Sequence, residues 1–178
     1  MRILDIQSSP NPKAIKIVVD TMITPPGSIP SESHTTHKLS KEIQSFDHVE
    51  DVFVQGQWVS VTFQSKQARG EKQNLKEIAQ ILRAYDPEEV DDELKLTEDE
   101  LDEDPQLMLI RDVIEDEVMP YLNSHGGSIE LLGLEDNTVL IRYVGACGGC
   151  PASTSGTLQA IEKILQFEVD PDLKVKTV

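Results

Sequence analysis

The chain has 178 residues, of which 38% are hydrophobic and 4% aromatic, and its formal net charge is −16. This length accommodates one medium domain or two small ones, and no apolar run approaches the roughly 20 residues of a membrane span. No stretch of the sequence offers a basic face to phosphates. We therefore expect a protein that binds neither nucleic acid nor membrane.

The negative charge is concentrated in one segment. Between Asp86 and Pro105 there are twelve acidic residues and one lysine, Lys95, so this segment carries −11 and the rest of the chain −5. Its apolar residues are too sparse for a core, and its like charges repel one another. The sequence therefore predicts an α+β protein with two small α+β domains, residues 1–85 and 105–178, joined by an acidic flexible linker at 86–104.

The first half has the pattern of a ββαββα domain. The predicted elements are strands at 2–6 and 14–19, a helix at 36–46, strands at 49–55 and 58–64, and a helix that opens near residue 74. Gly56-Gln57 is a plausible two-residue hairpin turn. His37 is expected to be solvated, because it follows a loop rich in serine and threonine. The helices are expected to cover one face of the sheet.

The second half has the pattern of an αββαβ domain. A long amphipathic helix begins near Pro105 and is expected to end at His125-Gly126-Gly127, because glycine commonly follows the last helical turn. Strands are predicted at 128–135 and 138–144, a helix at 154–167 and a short strand at 173–178. A domain of this size has little core to stabilise it, so a shared metal or a dimer contact would help.

Cys147 and Cys150 are the only cysteines of the chain. A Cys-x-x-Cys pair places two sulfurs within reach of one metal ion, one cluster edge or each other, whereas tetrahedral thiolate sites need four ligands. The pair lies between a predicted strand and a predicted helix, where amide N–H groups and the helix dipole stabilise thiolates. One chain thus supplies a dithiol or half of a metal site.

The N-terminus, Met1–Ile6, has no signal-peptide pattern, which predicts a cytoplasmic location.

Spacing alone leaves three kinds of site open. They are a thioredoxin-like dithiol, a zinc site made by two chains, and an iron–sulfur cluster bridged between two chains. The dithiol is disfavoured because Gly148-Gly149 gives a flexible pair, and because the pattern of this half lacks a parallel β-α-β framework. An enzyme is not expected: no nucleophile is paired with a recognisable base, no phosphate-binding glycine loop is present, and no catalytic residue is assigned.

The second half resembles the C-terminal domain of NifU-like (Nfu-type) scaffold proteins. The resemblance rests on the long helix ending in Pro120-Tyr-Leu122, the His-Gly-Gly turn, the hairpin, and the loop Gly145-Ala-Cys-Gly-Gly-Cys-Pro151, in that order. The first half resembles the N-terminal domain of many Nfu proteins through Ser9-Pro-Asn-Pro12 and Val49-Glu-Asp-Val-Phe53. Relatives often carry serine at one or more of the positions held here by Gly148-Gly149 and Ala152-Ser153.

The resemblance implies an iron–sulfur scaffold or carrier. Cys147 and Cys150 of two chains are then expected to hold one [4Fe–4S] cluster, and the protein to pass it to apo-proteins. The implied partners are a second copy of the chain when the cluster is bound, an upstream cluster donor and apo iron–sulfur clients. The cysteine loop is expected to be exposed and mobile enough for ligand exchange. His125 is explained equally well by its helix-ending turn.

Overall fold

A computed structural model describes residues 1–24, 37–86, 104–148, 150 and 156–178. They form two α+β units, each with its own sheet and its own hydrophobic core, which confirms the predicted fold class. The segment predicted as an acidic linker lies outside the described residues, apart from its end residues Asp86 and Asp104.

The N-terminal unit is a four-stranded antiparallel sheet with helices on one face. Its strand order is β1-β2-β4-β3. The elements are β1 (Ile3–Ser8), β2 (Ala14–Val19), α1 (Lys38–Gln44), β3 (Val49–Gln55), β4 (Trp58–Phe63), α2 (Lys66–Gly70) and α3 (Lys72–Ala84). The short helix α2 was not predicted from the sequence.

Period-2 alternation divides the N-terminal sheet into two faces. On β4, Val59, Val61 and Phe63 are fully buried in the N-terminal core beneath α1 and α3. Ser60 and Thr62 alternate with them and therefore face the opposite side of the sheet. Both are nevertheless buried, so this second face is covered too.

The prediction that His37 is solvated is wrong. Its side chain is 6% exposed, and its Nδ1 atom accepts a hydrogen bond of 3.2 Å from the backbone N–H of Leu39. This contact caps the first turn of α1, whose N–H groups have no partner within the helix. A histidine acting as an N-cap was missed because serine, threonine, aspartate and asparagine are the residues expected there.

The C-terminal unit has a three-stranded sheet of order β5-β6-β7. The elements are α4 (Pro105–Val113), a π-helical turn (Ile114–Val118), α5 (Met119–Ser124), β5 (Gly127–Glu135), β6 (Thr138–Gly145), α6 (Gly156–Glu168) and β7 (Lys174–Thr177). The predicted αββαβ order is therefore observed, with a π-helical turn inside the long helix. Among the described helices, none combines the length and apolar character needed to cross a bilayer.

The π-helical turn follows from Pro120. Proline has no N–H, and its ring clashes with the carbonyl four residues earlier, here that of Asp116. The backbone N–H of Met119 bonds instead to the carbonyl of Ile114, five residues back. The extra residue in this turn keeps Ile114 and Val118 on the buried side of the helix.

The strand β6 pairs in parallel with β7, and α6 connects them. The expectation that this half lacks a parallel β-α-β framework is therefore wrong. The final strand was predicted, but its pairing was not, because four residues of alternating pattern fit either edge of the sheet and either direction. The cysteine loop thus lies at the carboxyl end of β6, before the helix of a β-α-β unit.

Candidate functional site

Cys147 and Cys150 lie together in one small cleft of about 70 Å³. Both are thiols in the structure and both are buried, with 8% and 6% of their surface exposed. Cys147 also packs against the C-terminal core. The structure therefore brings the two predicted ligands into one site, and the expectation that the loop exposes them is wrong for the two side chains.

Short-range hydrogen bonds fix the backbone that carries the two thiols. The N–H of Gly148 donates to the carbonyl of Gly145 at 3.0 Å, and the N–H of Cys150 donates to the carbonyl of Cys147 at 3.3 Å. Gly145 has φ of +63°, which L-residues with side chains rarely adopt. Gly149 and residues 151–155, which include the expected N-cap Ser153, lie outside the described residues.

Gly127 makes room for the sulfur of Cys147. A Cβ atom built on Gly127 would overlap Cys147 Sγ and would lie 2.9 Å from both Cys147 Cβ and Cys147 N. The neighbouring Gly126 has φ of +77° and provides the helix-ending turn that the sequence predicts. The two glycines therefore have different roles, and the steric role of Gly127 is visible only once β5 and the cysteine loop are placed side by side.

Aromatic side chains border the thiol cleft. Tyr121 and His125 line it, with their ring centroids 4.9 Å apart in an edge-to-face arrangement. Burial and, to a smaller extent, the nearby Cys147 together raise the pKa of Tyr143 to about 12. The phenol of Tyr143 is therefore neutral at physiological pH and adds no charge beside the thiol.

The N-terminal unit supplies part of the cleft wall. Ser9 and Pro10, from the turn between β1 and β2, line the cleft together with the cysteines. The next residue, Asn11, is 1% exposed and donates a hydrogen bond of 3.0 Å from Nδ2 to the carbonyl of Ala146. The turn was noted in the sequence, but its position beside Cys147 was not predicted, because it requires a contact 135 residues apart along the chain.

The donor set of the cleft is two sulfurs. Within the described part of the chain, no group of three or more histidine, cysteine, aspartate or glutamate side chains is placed to hold a metal ion. Thiolates suit zinc and iron–sulfur clusters, and such sites take four ligands. The described residues of one chain therefore provide half of a tetrahedral thiolate site, or a complete dithiol.

Comparison with known proteins assigns both halves. The family described as "NifU-like domain" matches residues 110–176, and the family described as "Scaffold protein Nfu/NifU N terminal" matches residues 3–86. Two α+β units, with one thiol pair on a strand-to-helix loop, therefore define a two-domain protein of the NifU-like class. The chain belongs to the Nfu-type NifU-like proteins.

Curated relatives agree with this assignment. "Nitrogen fixation protein NifU" of Anabaena sp. (strain L31) is 38% identical over 73 residues, which are 41% of this chain and 65% of the relative. "NifU-like protein 4, mitochondrial" of Arabidopsis thaliana is 28% identical over 177 residues, covering 93% of this chain and 62% of the relative. "NFU1 iron-sulfur cluster scaffold homolog, mitochondrial" of Drosophila simulans is 23% identical over 93% of this chain and 61% of the relative. The chain spans less than two thirds of the length of each of these relatives.

Proposed function

We propose that this protein is an iron–sulfur cluster scaffold or carrier. Two chains would hold one [4Fe–4S] cluster on Cys147 and Cys150 of each, and would pass it to apo-proteins. The cluster is cargo in this function, so its binding has to be reversible. We further propose that the protein receives the cluster from an upstream donor and acts as a carrier rather than an enzyme.

The observation that carries the proposal is one cleft with two thiols and no third ligand among the described residues. A four-thiolate cluster site then needs a second chain. Thiolates are the ligands that iron–sulfur clusters take. A cluster held between two chains is also released when they separate, since separation removes half of its ligands.

A dithiol oxidoreductase or thiol chaperone is the second candidate. The observation that favours it is the position of the pair between β6 and α6 of a parallel β-α-β unit, which is the setting of thioredoxin-like motifs. In that function one chain acts alone, and the two thiols form an intramolecular disulfide. Replacing Cys150 would then leave Cys147 able to trap a client as a mixed disulfide.

The two candidates are separated by anaerobic reconstitution with iron and sulfide. The wild-type chain should take up about four iron and four sulfide per two chains. Cys147→Ala and Cys150→Ala should each abolish this uptake, because either change removes two of the four ligands. Gly156→Ala is a suitable control, since nothing lies within 4 Å of the added Cβ.

Transfer is measured by mixing the loaded protein with an apo-enzyme that needs a [4Fe–4S] cluster. Recovery of enzyme activity in the presence of an iron chelator shows direct transfer rather than rebinding of released iron. Iron uptake that survives either cysteine replacement contradicts the proposed ligands. A mixed disulfide trapped by Cys150→Ala, with no iron uptake by the wild type, supports the dithiol instead.

A further inference from the structure

One face of the N-terminal sheet is buried outside both hydrophobic cores. Ala14, Phe53, Ser60 and Thr62 are 0%, 1%, 1% and 4% exposed, and none of them belongs to either core cluster. The helices of the N-terminal unit lie on the other face of this sheet. Strand β6 of the C-terminal unit lies against β3 and β4, so this unit covers part of that face.

The covered face lies directly against the cysteine loop. A Cβ built on Gly145 would be 3.1 Å from Phe53 Cβ and 3.2 Å from Phe53 Cδ1, so the ring packs on the backbone two residues before Cys147. A Cβ on Gly126 would be 3.1 Å from Lys16 Cβ and 3.3 Å from Ser60 Oγ. Both glycines have positive φ, so the two turns beside the thiols are also the turns that meet the N-terminal sheet.

Two polar contacts fasten the units together. Asn11 Nδ2 donates to the carbonyl of Ala146 at 3.0 Å, and Lys16 Nζ donates to the carbonyl of Asn123 at 2.7 Å. The Lys16 ammonium also lies 4.9 Å from the centroid of the Trp58 ring. Burial lowers the pKa of Lys16, as expected for an ammonium that is partly removed from water.

The same interface also contains polar atoms that the docked arrangement leaves unsatisfied. Ser60 Oγ, Thr62 Oγ1 and Asn123 Oδ1 are buried and have no hydrogen-bond partner among the described residues. Burial of an unpartnered polar group is unfavourable, because water satisfies it when the surface is exposed. These atoms offset part of the gain from burying Phe53. With Asn11 and Lys16 these groups make the interface polar, which is typical of contacts between domains that move relative to one another.

We propose that the N-terminal domain is a reversible cap over the thiol pair of its own chain. It is docked when the cysteines are without cluster, and it leaves the cleft when two chains bring their cysteines to one cluster. The inference rests on the proposed function and adds its regulation. It follows because Cys147 and Cys150 are only 8% and 6% exposed in a cleft partly walled by Ser9 and Pro10, whereas a shared cluster requires both sulfurs to face a second chain.

Docking and cluster bridging are therefore linked equilibria. A cluster that binds only the undocked form must displace the cap, and a weaker cap makes that displacement easier. The docked form shields the thiols from alkylation and oxidation, whereas the undocked form exposes them. Thiol accessibility in the cluster-free protein is consequently a direct measure of docking, and it does not depend on whether the protein binds a cluster.

The test measures the rate at which iodoacetamide alkylates Cys147 and Cys150 in the full cluster-free chain. Asn11→Asp keeps the side-chain oxygen that accepts from the N–H of Lys13 at 3.0 Å, but it removes the donor to Ala146. Lys16→Gln removes the ammonium that binds Asn123. The matched control is Lys13→Gln, because Lys13 pairs with Glu50 at 3.0 Å within the N-terminal domain and its side chain is 41% exposed.

Asn11→Asp and Lys16→Gln should each raise the alkylation rate about three- to tenfold, which is the size expected from loss of one buried hydrogen bond. Lys13→Gln should leave the rate unchanged. The negative charge added by Asn11→Asp disfavours the thiolate, so a faster reaction in that variant reports exposure and not activation. Equal rates in the wild type and in both interface variants overturn the cap.

The single tryptophan provides a second readout. Trp58 lies on the capped face and pairs with Val18, near the carboxyl end of β2. Asn11 precedes the amino end of the same strand, so it is far from Trp58. Undocking by Asn11→Asp should therefore raise acrylamide quenching of Trp58 fluorescence, although the variant changes no contact of that ring. Unchanged quenching overturns the cap. The two proposals fail separately. Faster alkylation of the variants, with no cluster uptake by the wild type on reconstitution, supports the cap and contradicts the proposed function. Normal cluster uptake, with no change in alkylation, supports the proposed function and contradicts the cap.

Discussion

Gly127→Ala tests whether the absence of a side chain at this position shapes the thiol site. The added methyl would overlap Cys147 Sγ and would lie 2.9 Å from two further atoms of Cys147, one of them backbone. Overpacking of this kind costs about 1–3 kcal/mol. Alanine recovers about 0.4–1 kcal/mol because it reduces the freedom of the unfolded chain. The expected net loss is therefore about 1–2 kcal/mol.

Thermal unfolding followed by circular dichroism measures this loss. For a domain of 60–100 residues, 1 kcal/mol corresponds to a change in Tm of about 4–8 °C. The C-terminal domain of Gly127→Ala should then unfold about 4–16 °C below that of the wild type. Gly156→Ala, in the same domain, has nothing within 4 Å of its Cβ and should be neutral or slightly stabilising. A Gly127→Ala protein as stable as Gly156→Ala would refute the close approach of Cys147 to β5.

Substitutions at three further positions test local features of the C-terminal domain. Asp104→Ala removes the side chain that accepts from the N–H of Gln106 at 2.9 Å and caps the long helix, so unfolding in urea should show a loss of about 1 kcal/mol. Asn137 has φ of +70° in the β5–β6 turn, so Asn137→Ala should lower Tm by destabilising the domain by about 1 kcal/mol, whereas Asn137→Gly should not. The pKa of Tyr143 is raised to about 12 in the folded chain, whereas the unfolded chain ionises near 10, so stability should fall as pH rises between these values. Tyr143→Phe should lose less stability between pH 9 and pH 12, as measured by urea midpoints, and an identical pH dependence would contradict the burial of the phenol.

The local elements of both domains follow from patterns that the sequence contains. The stripe of Ile110, Ile114, Val118 and Leu122 predicts a helix, and all four residues are buried in the C-terminal core. The hairpin between β5 and β6 follows from alternating residues, and the Asp-Asn turn at its tip has positive φ at both positions. The cysteine pair is recognisable because its spacing specifies what two sulfurs can reach together.

Features that depend on contacts between distant segments were not predicted. The burial of the thiols depends partly on Ser9 and Pro10, which lie more than 130 residues before Cys147 in the chain. The parallel pairing of β7 depends on the path of α6 across the sheet rather than on the residues of β7. His37 caps the first turn of α1 through a local contact with Leu39. Histidine is an uncommon N-cap residue, so the sequence does not indicate this role.

Native mass spectrometry of the anaerobically reconstituted full chain tests the shared cluster most directly, because it counts chains and cluster atoms in one particle. Two chains holding one [4Fe–4S] cluster is the predicted composition, and Cys147→Ala or Cys150→Ala should give only cluster-free chains. A cluster retained by one chain, zinc in place of iron, or a monomer whose only change is loss of two hydrogens to a disulfide would contradict a cluster bridged by four thiolates.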